Sequence, residues 1–93
     1  MIKATTVNLT VSDVSGQRRS SVRGVSADSN IGELIDGLLP RLNLSQRDRF
    51  GEPVGYQALL EREGRHLNRS EIVGDTLREN DSLVLQPEII AGR

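Results

Sequence analysis

Leu59-Leu60-Glu61-Arg62-Glu63-Gly64-Arg65-His66-Leu67 is the stretch on which the fold turns. Tyr56 to Arg62 reads as a strand, Glu63-Gly64 as the reversal that glycine permits, and Arg65-His66-Leu67 as a short segment beyond it. Downstream, Ile72 and Val73 precede another turn, and Thr76 to Asp81 is a polar lead into Ser82-Leu83-Val84-Leu85-Gln86, the last strand. Pro87 has no N–H to give a ladder, so regular pairing ends there.

Upstream, Ile31, Leu34, Ile35, Leu38, Leu39 and Leu42 recur at spacings of three and four, one apolar stripe of a helix. Ser29 or Asn30 is placed to cap it, and the charge of Glu33 complements the helix dipole. Gly32, Gly37 and Pro40 conflict with the pattern. A proline inside a helix costs ~3 kcal/mol, so the regular helix is expected to stop near Leu39, with Leu42 and Leu44 packing from an irregular last turn. Before the helix, Val7, Leu9 and Val11 alternate with polar residues as in a half-buried strand, and Asp13-Val14-Ser15-Gly16 turns the chain back. The return strand, Arg18 to Val25, has Val22 and Val25 out of phase, with Gly24 marking a bulge between them. From Ser45 to Gly55 the chain is polar and glycine-containing, a loop.

The order is therefore hairpin, helix, short strands, final strand. Neither a helix nor a sheet can bury its apolar side alone, so the helix must lie across one face of a mixed sheet of four to five strands, an α+β arrangement. Residues 1–86 form the expected domain and 87–93 an expected flexible C-terminal tail. A chain of 93 residues is one domain, with a modest core and little room for an internal cavity.

Charge narrows the function. Twelve basic residues stand against thirteen acidic ones, interleaved as in Arg62-Glu63 and Arg78-Glu79, which argues for a mixed solvated surface and against nucleic-acid binding. There is no cysteine, hence no disulfide, thiolate zinc site or cysteine nucleophile. No signal-peptide pattern or membrane-spanning apolar run occurs, which points to a cytoplasmic protein. His66, the only histidine, has no convergent partners and reads as an exposed turn residue, not a metal ligand. Asp13, Asp28, Asp36 and Glu33 lack a paired-carboxylate spacing, and Gly51 to Gly55 is not followed by a phosphate-loop lysine. No catalytic constellation or cofactor site is expected.

In the stretch from Leu59 to Leu67, and in Leu77 followed by Asn80-Asp81-Ser82-Leu83-Val84-Leu85, the sequence resembles the ubiquitin-like β-grasp family over nearly its whole length. With Leu83 and Leu85 set on the two inward leucines of ubiquitin's last strand, Gly92 falls where ubiquitin has its terminal glycine. Ala91 replaces the first glycine of that pair and Arg93 is a one-residue overhang. Of the positions that form ubiquitin's apolar recognition patch, Glu61 and His66 are polar here.

The chain is similar to the ubiquitin-like modifiers of bacterial antiviral conjugation operons, and also to the YukD-like proteins of type VII secretion loci, which share the fold and are not conjugated. The first resemblance implies trimming of Arg93, activation at the carboxylate of Gly92 and an isopeptide bond to target proteins. Ala91 would then permit entry to the activating channel while Glu88, Ile89 and Ile90 guide the tail. It implies activating-enzyme-like, conjugating-enzyme-like and deubiquitinase-like metallopeptidase partners. Lys3, the single lysine, would limit chain building and favour mono-modification. The second resemblance implies an interaction module. In neither case is the protein itself the enzyme.

Overall fold

In the computed structural model, which describes residues 6–44, 47, 50–51 and 54–88, the expected alternation builds β1 (Thr6–Asp13). Val7, Leu9 and Val11 are buried on one face of it. β2 (Arg19–Ser26) pairs antiparallel with β1, and the register slips where Gly24 takes a positive φ of 71°. Val22 then stands opposite Leu9 and Val25 opposite Val7, so the bulge returns both valines to the core side. The bulged N–H of Gly24 is satisfied by Asn8 Oδ1 at 3.0 Å.

Helix α1 (Ile31–Arg41) buries the whole predicted stripe, and Leu42 and Leu44 add to it. Its cap is Asn30, whose Oδ1 accepts the Glu33 N–H at 2.8 Å. The next free donors find partners in tertiary structure. Ile31 N–H donates to the Glu71 carbonyl at 2.8 Å and Gly32 N–H to that of Arg69 at 3.0 Å. The helix continues past Leu39 to Arg41: Pro40 sits exposed in the last turn, where it forfeits the bond its N–H would have made to the Asp36 carbonyl, but no further turn has to carry the distortion. Asn43 then takes the left-handed conformation (φ 55°). Its N–H reaches the Pro40 carbonyl and that of Leu44 the Leu39 carbonyl, closing the helix end. The Arg18 guanidinium donates to the carbonyls of Leu42 and Asn43, tying the hairpin to this terminus.

β3 (Tyr56–Leu60) ends two residues earlier than expected, since Glu61 to Gly64 form the turn, with Gly64 at φ 64°. β4 (Arg65–His66) follows, and then, where the sequence suggests only a turn, a one-turn helix α2 (Val73–Thr76). The tertiary environment makes it: Val73 is fully buried, and Val73 and Gly74 donate to the carbonyls of Ser29 and Ala27. β5 (Asp81–Pro87) is one residue longer than expected at each end; Pro87 is accepted as its last position, opposite Tyr56.

The sheet order is β2-β1-β5-β3-β4, with β5 parallel to β1 and the other pairs antiparallel. Leu83 and Leu85 of the central strand, Val11, Ala58 and Leu60 meet Ile31, Ile35 and Leu38 in one core. Full burial of each larger side chain contributes ~1.5–3 kcal/mol. This is the α+β, β-grasp arrangement expected.

Candidate protein-binding surfaces

One face of the sheet lies under α1; among the described residues no element covers the other, the open face. Register places Arg19, Ser12, Val84, Leu59 and His66 in a row across all five strands of the open face, since Arg19 pairs with Ser12, Ser12 with Val84, Val84 with Leu59 and Leu59 with His66. Val84 and Leu59 are half-buried side by side. His66 is a strand residue, not a turn residue, and reaches across β3 to Gln86 (Nε2 to Oε1, 2.6 Å). Gln86 itself stands opposite Gln57. The face is thus an apolar pair framed by side chains able to form hydrogen bonds.

The charged pairs flanking this face do more than solvate it. Asp81, at the start of β5, is buried and held by Arg62 (Nε at 3.0 Å, Nη2 at 3.1 Å) and by the Arg78 N–H at 2.8 Å. Burial pushes the Asp81 carboxyl up, but these donors more than offset it and hold it below its ordinary value. Arg62 also donates to the Thr76 carbonyl and to Glu63, so one guanidinium clamps the β3–β4 turn, the end of α2 and the start of β5. Glu79 accepts both the N–H and Nδ2 of Asn8. Arg62-Glu63 and Arg78-Glu79 are therefore parts of the framework, contrary to the reading of a plain solvated surface. Arg65 bridges Glu63 and Glu71, and the Arg65 bonds come first among the causes that lower both carboxylates. Arg69 reaches Asp36 on α1 at 3.1 Å.

Of the tail residues singled out in the sequence, Glu88 alone is described. Its N–H donates to the Gly55 carbonyl at 2.7 Å and its side chain lies against Gly55. Ile89, Ile90, Ala91, Gly92 and Arg93 lie outside the described residues, as does Lys3. Among the described residues no group of three or more histidine, cysteine or carboxylate side chains could hold a metal ion. No helix of the described residues is long and apolar enough to cross a membrane.

No protein-family model and no curated protein matches the sequence. Solved structures match the fold. The ubiquitin of Caldiarchaeum subterraneum superposes with a TM-score of 0.65 at 14% identity, covering 94% of this chain and 99% of that one. The ubiquitin-like domain of yeast Ddi1 gives 0.63 at 18% identity, covering 99% and 100%. A chain of the MycP5-free ESX-5 inner membrane complex gives 0.69 at 16% identity; there the match covers 97% of this chain but only 23% of that one. The chain has the ubiquitin-like β-grasp fold.

Proposed function

We propose that this chain is a ubiquitin-like interaction domain, a handle that other proteins recognise by its surface, with no chemistry of its own. The open sheet face carries this reading. It sets the half-buried Val84–Leu59 pair, with buried Ser12 beside it, between exposed Arg19 and His66, the mixture of apolar centre and polar rim that protein interfaces use. A non-conjugated module associated with secretion is in keeping with the likeness to a segment of a chain in the ESX-5 inner membrane complex and with the YukD-like resemblance.

A second reading, the bacterial ubiquitin-like modifier, draws on the position of Gly92 and the likeness to an archaeal ubiquitin. In it a metallopeptidase hydrolyses the bond before Arg93, an activating enzyme adenylates the Gly92 carboxylate with ATP and releases pyrophosphate, a partner's cysteine thiolate displaces AMP to form a thioester, and a target amine displaces that thiol to form the amide. Ala91 lets the tail enter the activating channel, guided by Glu88, Ile89 and Ile90. The partners supply the chemistry.

Deletion of Ala91 to Arg93 separates the two. The chain and its deletion are each expressed in the source cell, and co-purifying proteins and intact masses are compared. The interaction domain keeps the same partners after the deletion and shows no ATP-dependent adduct. Loss of one arginine followed by an ATP-dependent adduct at Gly92, abolished by the deletion, overturns it in favour of the modifier.

A further inference from the structure

The row across the open face is complementary to its own reverse. Read from β2 to β4 it is Arg19, Ser12, Val84, Leu59 and His66, one side chain from each strand, with Val84 on the middle strand β5. Laid against the same row reversed, Val84 meets Val84, Leu59 meets Ser12 and Arg19 meets His66.

Each pairing is chemically matched. Ser12 is small and buried, a low point between Arg19 and Val84, while Leu59 is larger and only half-buried. The Oε1 of Gln86 can only accept, so the Nε2 of His66 carries the proton of their 2.6 Å bond and its Nδ1 is left as an acceptor. An arginine has donors only and suits that nitrogen. Glu61 lies one residue past β3, and its N–H still donates to the Ser82 carbonyl, so it adds a carboxylate to the same rim as His66. The side chains of Arg19 and Glu61 are exposed and, among the described residues, bond to nothing in their own chain.

Charge also selects the arrangement. Two sheets stack face to face ~10 Å apart with their strands nearly aligned. A two-fold axis between two copies and parallel to β5 lays β2 of each over β4 of the other. It brings the reversed rows together, with Arg19 over His66 and beside Glu61. An axis across the strands instead lays β2 over β2 and Arg19 over Arg19, where like charges repel.

We infer that the open face binds a second copy of this chain, as a two-fold dimer centred on Val84. Leu59 of each copy fills the low point at Ser12 of the other, and the two Arg19 side chains reach across to His66 and Glu61 at opposite rims. The inference rests on the interaction-domain reading and names one partner of that same face. Four inter-strand steps of ~4.8 Å make the face about 19 Å across, small beside the ~800 Å² that each partner gives a standard interface, so the dimer is weak and reversible.

The test is sedimentation equilibrium of the full chain from micromolar to millimolar concentration, with amide chemical shifts of the isotope-labelled chain over the same range. A reversible monomer–dimer equilibrium is expected, with concentration-dependent shifts at Ser12, Leu59 and Val84. Arg19→Glu and Glu61→Arg each set like charges across the interface and weaken the dimer about tenfold. The two changes together restore opposite charges and recover much of the affinity, and a thermal melt confirms that every variant is folded. A monomer at all concentrations, shifts confined to another surface, or a double variant no stronger than either single one overturns the dimer. Its failure is distinct from failure of the interaction domain. A monomer that loses its co-purifying proteins when Leu59 and Val84 are changed to glutamate sinks the dimer alone. A dimer with charge-swap recovery, whose other co-purifying proteins survive that change, upholds the dimer and removes the face from recognition of other proteins.

Discussion

Arg62 shows how much one side chain can organise. Its guanidinium fills three acceptor sites, the Asp81 carboxylate, the Thr76 carbonyl and Glu63, while Asp81 lies buried beneath it. Arg62→Ala leaves that carboxylate without its cation, with an expected loss of about 2 kcal/mol in urea unfolding at pH 7, a figure kept low because Arg62 is partly exposed. The pH dependence has a definite sign. The folded-state value of Asp81 lies below its unfolded one, so its contribution is fully present above about pH 4 and is lost as pH falls through the folded value. In Arg62→Ala the fall in stability as pH drops below about 4 is therefore shallower than in the parent, which urea midpoints across that range would show. Asn30 acts more simply. Asn30→Ala removes the acceptor for the Glu33 N–H and is expected to lower stability by about 1 kcal/mol in the same assay.

Two glycines separate what an element needs from what it tolerates. At Gly74, in the one-turn helix, an added Cβ would stand 2.8 Å from the Ala27 Cβ and 3.0 Å from the Ala27 carbonyl oxygen. Gly74→Ala must push α2 away from the end of β2 and weaken the Gly74–Ala27 backbone bond, with an expected loss of about 1–3 kcal/mol. Gly37→Ala has the opposite sign, because the site has room and alanine is the better helix former. It is expected to stabilise the fold by up to about 1 kcal/mol, read as a raised melting temperature. A stability loss at Gly37 would show that the helix is packed there in a way the structure does not contain.

At the scale of the whole molecule, the mixed sheet separates stability from recognition. The core is built on the α1 side by Leu83, Leu85, Val11 and Leu60, while the far side carries Val84 and Leu59 only half-buried. The double change Leu59→Glu with Val84→Glu adds two carboxylates to that open face and leaves the core untouched. Because the two carboxylates would stand directly opposite each other on β3 and β5, it is expected to cost about 1–3 kcal/mol of folding stability and to abolish co-purification of the partners that the parent chain holds. Retention of every partner by the folded double variant would remove the open face from the proposed function.

Local patterns made most of the framework legible. The helix stripe, the period-two alternation of β1, the turn at Gly64 and the bulge at Gly24 each follow from the geometry of a few neighbouring residues, and all four stand in the structure. Other features depend on residues far apart in the chain. α2 forms because carbonyls of Ser29 and Ala27 wait for its first N–H groups, and α1 runs past Leu39 with its end tied to Arg18 of the hairpin. Arg62 and Asp81 read as ordinary surface charges until the sheet brings them together. The row from Arg19 to His66 exists only once β5 lies between β1 and β3. Propensity and periodicity act over one or two turns of chain, and so they name elements. Surfaces are made by the register between elements, which long-range burial sets.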